Sequence, residues 1–152
     1  MRRVVLVLLL LAVLSLPVLL FMGGEAAVSR GPDQVALIDI AGLIAENPGL
    51  GGTAPRTTVN FLRRAEANPR VKAVVLRVNS GGGSPAAAEE IYTAIRRLRD
   101  GGKPVVVSMG DVAASAAYYI SAAADRIVAN PSTMTGSIGV ISQTIVFEDL
   151  LQ

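Results

Sequence analysis

Residues 71–85 read VKAVVLRVNSGGGSP, a run rich in β-branched residues that leads through three glycines to a Ser-Pro pair. The first eight residues, VKAVVLRV, are typical of a strand covered on both faces in a parallel sheet. The following residues, Asn79–Ser84, are predicted to form a turn. Ser84 is a good N-cap and Pro85 suits the first position of a helix, which we predict to end at Arg99. A strand that turns into a helix in this way is the repeating unit of an α/β fold.

Further strands and helices are predicted to alternate on both sides of this unit. Glycines and prolines in Glu46–Pro55 indicate a loop on the N-terminal side. We therefore predict the α/β class with a mostly parallel sheet and a single core. The additional predicted elements are a strand at Gln34–Ile40, a helix at Thr57–Ala67, a strand at Pro104–Met109, a small-residue helix at Ser115–Ala124 and a strand at Arg126–Ala129.

The N-terminal region carries most of the apolar excess of a chain of 152 residues that is 51% hydrophobic and 17% charged. Val4–Met22 contains about 19 residues, which as a helix would reach about 29 Å, close to the hydrocarbon thickness of a bilayer. Arg2 and Arg3 precede it, so we expect a transmembrane signal anchor with its N-terminus in the cytoplasm. A cleaved signal peptide, cut near Gly24-Glu25-Ala26, is the alternative.

The domain organisation follows from these boundaries. Residues 1–23 are predicted to be a cytoplasmic stub and membrane anchor, residues 24–33 a tether and residues 34–152 the N-terminal part of a folded domain. Phe147–Leu151 resembles the first turns of an interrupted amphipathic helix, so we expect a chain truncated at its C-terminus.

Several classes of active site are excluded because the chain has no cysteine and no histidine. Disulfides, thiol nucleophiles, His-containing catalytic triads and His-ligated zinc sites cannot form, and we expect no metal or other cofactor. The base of a hydrolase would be a lysine or a carboxylate, and the lysines are Lys72 and Lys103. A net charge of +2 with scattered arginines and 4% aromatic residues gives no indication of nucleic-acid binding.

Two segments with catalytic potential follow neighbouring predicted strands, at the edge where parallel sheets place their ligands. In Ser80–Ser84 the glycines allow backbone N–H groups to point into a cleft, where they would stabilise an oxyanion or a phosphate. In the second segment, Gly110–Tyr119, the hydroxyl of Ser115 stands between alanines at the start of a helix.

Each segment also has a simpler interpretation. The glycines form only a tight turn in one, and Ser115 acts only as a helix N-cap in the other. A dinucleotide site is a further alternative, because Gly81-x-Gly83-x-x-Ala86 follows a strand and opens a helix. It is disfavoured because Val107-Ser108 stands where an acidic residue is expected.

Residues Leu76–Ile141, from LRVNSGGGSP to TGSIGVI, closely resemble the bacterial signal peptide peptidase A family. This resemblance covers essentially the whole chain and implies a membrane-anchored serine protease with the ClpP/crotonase-like fold of repeated ββα units. It further implies that Ser115 is the nucleophile and that the backbone N–H groups of Gly83 and Ala116 form the oxyanion hole. The candidates for a substrate groove are Gly82, Ala117 and Tyr118.

The chain departs from the family pattern at two places. The family has Ser-Pro-Gly-Gly where this chain has Ser80-Gly81-Gly82-Gly83. Gly81 thus replaces a proline, whose ring would fix φ, and the loop is less restrained. Ser-Gly-Gly-Tyr-Tyr is Ser115-Ala116-Ala117-Tyr118-Tyr119, and a Cβ beside the nucleophile costs about 1 kcal/mol or more if φ is positive there.

The catalytic lysine that the resemblance implies lies downstream of residue 152. Lys72 and Lys103 each lead into a predicted strand, at the end opposite the glycines and Ser115, so we expect both to be solvated turn residues. The 152-residue chain by itself is therefore predicted to be inactive.

The resemblance also implies a biological role. We expect an endopeptidase that degrades remnant signal peptides, held in the bacterial cell membrane by Val4–Met22, with its catalytic domain outside the cytoplasm and its protomers assembled in a homo-oligomeric ring. A catalytically inactive scaffold or truncated member of the same fold is the alternative. A crotonase-like thioester enzyme is a more remote alternative. The predicted anchor disfavours it, because acyl-CoA substrates are cytoplasmic and the anchor would place the domain outside the cytoplasm.

Overall fold

The computed structural model of the protein describes residues 31–139. Strands and helices alternate as predicted, which confirms the α/β class. The elements are β1 (Gln34–Ile44), α1 (Pro55–Ala67), β2 (Val71–Gly83), α2 (Pro85–Asp100), β3 (Val105–Ala114), α3 (Ala116–Ser121), β4 (Arg126–Val128) and β5 (Met134–Gly136).

All strand pairs of the described sheet are parallel, as predicted. The strand order is β1-β2-β3-β4, and β5 also pairs with β3. The two short strands use different parts of β3, since Val106 is in register with Arg126 of β4 and Val112 with Met134 of β5. Because parallel strands end at the same edge, the last residues of β2 and β3 lie at one side of the sheet.

The core lies between the sheet and the three helices. The prediction that β2 is covered on both faces is wrong for the described residues, because burial along this strand alternates. Val74 and Leu76 are fully buried, whereas Lys72 and Arg77 are exposed. This period of two shows that the described helices cover a single face of β2. The largest buried side chains are Ile40, Ile44, Leu62, Leu76, Ile91, Ile95, Leu98, Ile120, Val74, Val78, Val105 and Val107.

Three strands are longer than predicted, because β1 continues to Ile44, β2 to Gly83 and β3 to Ala114. The turn predicted at Asn79–Ser84 is largely strand, because β2 continues to Gly83. Its last residues pair with the end of β1, where Leu43 is in register with Gly82 and Ile44 with Gly83, after a register shift. Helix α3, by contrast, is shorter than predicted and covers only Ala116–Ser121.

Some predictions fall outside the described residues. These are the membrane anchor at Val4–Met22, most of the tether at residues 24–33 and the interrupted helix at Phe147–Leu151. Within residues 31–139, none of the helices has the length and apolar character needed to cross a bilayer.

Candidate active site

Ser115 occupies the junction between β3 and α3 in a strained backbone conformation. Its φ is +52° and its ψ is −121°, values that an L-residue with a side chain rarely adopts. The Ser115 N–H donates to the Gly136 carbonyl at 2.7 Å, and the Ser115 carbonyl accepts from the Tyr119 N–H at 2.9 Å. Strain of this kind costs about 1–3 kcal/mol and persists only where the surrounding structure imposes it.

The side chain of Ser115 is half-buried and makes no cap hydrogen bond to α3, although the residue stands at the N-cap position. The interpretation of Ser115 as only an N-cap is therefore wrong. Ser84 at the start of α2 provides the contrast, because its Oγ accepts a hydrogen bond from the Ala87 N–H at 3.4 Å. The Ser115 hydroxyl is thus not used by the helix that it precedes.

Ala116 follows as the first residue of α3, so no carbonyl within the helix can accept its N–H. The strain that we expected beside the nucleophile if φ were positive does not arise at Ala116 or Ala117. Both have ordinary helical backbone, and the positive φ is that of Ser115. An alanine pair is also better suited than a glycine pair to the interior of a helix.

The glycines at the end of β2 lie directly against the Ser115 turn. Gly82 has a φ of +105°, and a Cβ added there would lie 2.9 Å from both the Ser115 Cβ and the Ala116 nitrogen. A Cβ added at Gly83 would overlap the carbonyl of Ile44 in β1. Only glycine allows β2 to pass this closely between β1 and the start of α3. The structure therefore brings Gly82, Ser115 and Ala116 together.

The N–H groups of this loop point in different directions. The Gly82 N–H donates to the Oγ of Ser80 at 3.0 Å, and the Ser84 N–H donates to the Ile44 carbonyl at 2.7 Å. The Gly83 N–H lies between these two engaged donors in the chain.

Ser80 and Asn79 position this part of the sheet, a role that the sequence reasoning missed. The Ser80 side chain is buried; its Oγ donates to the Gly42 carbonyl at 2.6 Å and accepts the Gly82 N–H. The Oδ1 of Asn79 accepts the Val112 N–H at 3.1 Å. The sequence feature that indicates this role is the change from an apolar strand to two polar residues directly before the glycines.

Residues of β5 and the loop before it support the Ser115 turn from the other side. The Thr135 Oγ1 donates to the Ala113 carbonyl at 2.8 Å, and the Thr133 Oγ1 donates to the Gly110 carbonyl at 2.8 Å. Gly136, whose carbonyl accepts the Ser115 N–H, directly precedes Ser137, a second non-glycine residue with positive φ, at +52°.

The three groove candidates lie in different environments. Gly82 contacts the Ser115 turn, as described above. Tyr118 is half-buried and packs against the core, whereas Ala117 is fully buried within it. The side chain of Ala117 is therefore closed off from a substrate in this structure.

Neither lysine is placed to act as a base for Ser115. Lys72 is exposed, as predicted, and its Nζ lies 3.7 Å from Asp33. The prediction that Lys103 is a solvated turn residue is wrong, because its Nζ donates to the carbonyls of Ala65, Glu66 and Asn68 at 2.5, 2.7 and 2.8 Å. The carbonyls of Ala65 and Glu66 belong to the last turn of α1, where helix carbonyls lack intrahelical partners and attract a cation. The Asn68 carbonyl also accepts the Val71 N–H at 3.1 Å.

Metal ligation has no support in the described part of the chain. No three acidic side chains between residues 31 and 139 lie together in a way that would hold a metal ion.

Comparisons with known proteins point to peptidases. Residues 97–152 match the model of peptidase family S49. The chain is 51% identical over 107 residues to Protease 4 of Salmonella typhi, covering 70% of this chain and 17% of that protein. It is 37% identical over 91 residues to a putative signal peptide peptidase SppA of Enterococcus faecium, covering 60% of this chain and 26% of that protein. The chain thus spans about a sixth to a quarter of the length of these relatives.

A solved structure has a similar fold. It is a serine-to-alanine mutant of the membrane-bound stomatin-specific protease 1510-N, with a TM-score of 0.61 and 21% sequence identity. The match covers 76% of this chain and 54% of that one. At this level of identity the similarity concerns the fold alone.

Proposed function

Because the chain belongs to peptidase family S49, the family of the SppA-type proteases, we propose that it is the part of a serine endopeptidase that carries the nucleophile, Ser115. One observation carries this proposal: the Ser115 hydroxyl is free of the helix that it precedes and stands beside the Gly82–Gly83 loop and the Ala116 N–H. A nucleophile next to two backbone N–H groups is the arrangement that acyl transfer requires.

In the proposed reaction the Ser115 Oγ attacks the carbonyl carbon of a peptide bond, and the hydroxyl proton passes to a general base. The carbonyl oxygen becomes an oxyanion, which accepts hydrogen bonds from the N–H groups of Gly83 and Ala116. When the intermediate collapses, the C–N bond breaks and the amine leaves with the proton from the base. Water then hydrolyses the resulting ester and restores the Ser115 hydroxyl.

The general base is proposed to be a lysine of a longer protein, downstream of residue 152. Lys72 is paired with Asp33, and the ammonium group of Lys103 donates to three carbonyls, which leaves it no role as a base. A lysine base must be held neutral by burial within hydrogen-bond reach of the Ser115 Oγ. The 152-residue chain alone is accordingly proposed to be inactive.

The proposed substrates are remnant signal peptides, bound as extended apolar segments beside the Gly82–Gly83 loop. The name of the Enterococcus faecium relative and the apolar run Val4–Met22 support this choice. We also propose a single-pass anchor in a bacterial membrane, a catalytic domain outside the cytoplasm and assembly into a homo-oligomeric ring. These last features depend on the sequence resemblance.

A non-catalytic scaffold is the second candidate function. The specific observation in its favour is the lack of a free lysine near Ser115 within this chain, whose two lysines are both engaged elsewhere. A scaffold would keep the fold and the glycine loop without hydrolysing peptides.

The test compares this chain with a version extended downstream to the expected lysine. Hydrolysis of an apolar peptide and labelling by a fluorophosphonate are measured for wild type, Ser115→Ala and the control Ser108→Ala. Ser108 is on β3, the strand that leads to Ser115, and its hydroxyl accepts a hydrogen bond from Arg77. We expect Ser115→Ala to lower turnover by the extended protein by at least about 10³-fold.

Ser108→Ala is expected to retain the turnover of the wild type. If Ser115→Ala leaves turnover and labelling unchanged, the proposed nucleophile is wrong. If the extended wild-type protein shows no turnover and no labelling, the scaffold replaces the protease. Turnover by the 152-residue chain that disappears in Ser115→Ala would contradict the proposed need for a downstream base.

A further inference from the structure

Tyr119 of α3 makes two contacts with α2. Its Oη donates to the Oε2 of Glu89 at 2.6 Å. Its ring stacks on the ring of Tyr92, with centroids 4.6 Å apart and an angle of 24° between the planes. A hydrogen bond and a stacked ring pair together fix both the distance and the rotation of one helix against the other.

These contacts join the helix starts that carry the two halves of the candidate site. Tyr119 lies one turn after Ser115, since its N–H donates to the Ser115 carbonyl. Glu89 lies in the second turn of α2, whose N-cap Ser84 directly follows Gly83. A shift of α3 along α2 would therefore change the separation between Ser115 and the Gly83 N–H.

Helix α3 needs such support because it has few other sources of stability. It contains six residues, lacks a side-chain cap and follows the strained Ser115. A helix this short is unstable by itself in water and relies on tertiary contacts. Three of the four side chains that it buries are small, namely Ala116, Ala117 and Ser121, so Ile120 is its one large buried side chain.

We propose that Tyr119 and Glu89 form a positioning clamp that holds the Ser115 turn against the Gly82–Gly83 loop, with Tyr92 as the surface on which the Tyr119 ring rests. This inference rests on the proposed function, because the clamp acts through Ser115 and does not itself touch the reacting atoms. Neither residue belongs to the glycine loop or to the Ser115 turn.

The protonation state of Tyr119 suits this role. The hydrogen bond to Glu89 raises the pKa of Tyr119, because a tyrosinate would lose its donor and face the carboxylate. The Tyr119 hydroxyl therefore remains a donor at neutral pH. Thr93 donates to the other oxygen of the same carboxylate, Oε1, at 3.3 Å, but it lies on α2 and does not link the helices.

The experiment uses Tyr119→Phe, which keeps the ring stack and removes the hydrogen bond, and Glu89→Ala, which removes the acceptor. Thr93→Ala is the matched control, because it removes the Thr93 bond to Glu89 and leaves the Tyr119 bond. Amide hydrogen exchange of the segment 115–121 is measured by mass spectrometry on the chain. The kcat and KM for an apolar peptide are measured on the version extended to the expected lysine.

In Tyr119→Phe and Glu89→Ala we expect exchange in segment 115–121 to be about tenfold faster than in the wild type, with exchange in β2 unchanged. We also expect kcat to fall about tenfold while KM stays within about twofold, since the clamp orients the nucleophile rather than binding substrate. The double variant is expected to lose no more than either single variant, because both remove the same bond. Thr93→Ala is expected to behave like the wild type.

Unchanged exchange in both single variants would overturn the clamp. Faster exchange with an unchanged kcat would also overturn it, since Tyr119 would then stabilise α3 without positioning Ser115. Failure of the proposed function can be distinguished from failure of the clamp. In the former, Ser115→Ala retains wild-type turnover or the extended wild-type protein shows no turnover. In that case the exchange measurement alone decides whether the clamp holds the Ser115 turn.

Discussion

Two strand-to-helix turns lie side by side at the carboxyl edge of the sheet. They differ in which residues adopt a positive φ and in how the following helix is capped. The turn from β2 into α2 places its positive φ values on glycines, Gly82 and Gly83, and caps its helix with Ser84. The turn from β3 into α3 places a positive φ on Ser115 and leaves its helix without a side-chain cap.

The difference follows from what each turn contributes. In the proposed reaction the first turn supplies backbone N–H groups, which need no side chain, so glycine removes the strain. The second turn presents a hydroxyl, which requires a residue with a Cβ in a conformation that disfavours one. The neighbouring contacts, such as the bond from the Ser115 N–H to the Gly136 carbonyl, must then hold the strained residue in place.

The largest expected effect is that of a methyl group at the end of β2. Gly83→Ala should lower the free energy of unfolding by about 3 kcal/mol, because the new Cβ would overlap the Ile44 carbonyl. Gly81→Ala is the matched control, since a Cβ there has no atom within 4 Å and φ is ordinary. It should stabilise the fold by about 0.5 kcal/mol. Urea denaturation followed by circular dichroism measures both, and equal effects would contradict this account of the glycines.

Ser80→Ala should cost about 2 kcal/mol, because it leaves the Gly82 N–H and the Gly42 carbonyl without their buried partner. It should also lower the peptidase turnover of the extended protein, since the glycine loop loses its anchor. Ser108→Ala, at a more exposed hydrogen bond, should cost less than about 0.5 kcal/mol. A Ser80→Ala protein as stable as Ser108→Ala would show that the buried hydroxyl does not hold the loop.

The two serines that precede helices should respond differently to the same substitution. Ser84→Ala should cost about 1 kcal/mol, since it removes the bond to the Ala87 N–H. Ser115→Ala should change the free energy of unfolding by less than about 0.5 kcal/mol, because its hydroxyl makes no cap bond. The two unfolding curves, measured under the same conditions, provide the comparison. A larger loss in Ser115→Ala would mean that its hydroxyl stabilises α3 after all.

The smallest expected effect measures the strain itself. Ser115→Gly should be about 0.5 kcal/mol more stable than Ser115→Ala, because glycine adopts a φ of +52° without a Cβ penalty. Both variants should lack peptidase activity. Thermal unfolding of the two proteins measures the difference, which would have the opposite sign if Ser115 were unstrained.

The sequence predicts most elements because their signals are local. The β-branched run of β2, the helical spacing of α2 and the Ser84-Pro85 start of that helix all lie within one element. The extension of β2 through Gly83 was not predicted, because glycines ordinarily end strands. It depends on pairing with Leu43 and Ile44, about 40 residues earlier, and on space that only glycine leaves.

The candidate site is predicted in part. The sequence predicts site roles for Gly82, Ser115 and Ala116, and these three residues lie together in the structure. The strain at Ser115 was not predicted, because no feature of the Ala-Ser-Ala sequence indicates a positive φ. The Tyr119–Glu89 bond joins residues 30 positions apart and the Lys103 bonds join residues 35 to 38 apart, so no local pattern reveals them.

The bonds of Lys103 also affect the chemical reactivity of the protein. The Nζ of Lys103 donates to three carbonyls in a part-buried position, and these contacts obstruct the approach of an acylating reagent. Lys72 is exposed, and its Nζ contacts only the Asp33 carboxylate, at 3.7 Å, among the ion pairs of the described residues. Of the two lysine side chains, an activated ester should therefore modify Lys72 first, which provides a natural attachment point for a dye on the edge of the sheet opposite Ser115.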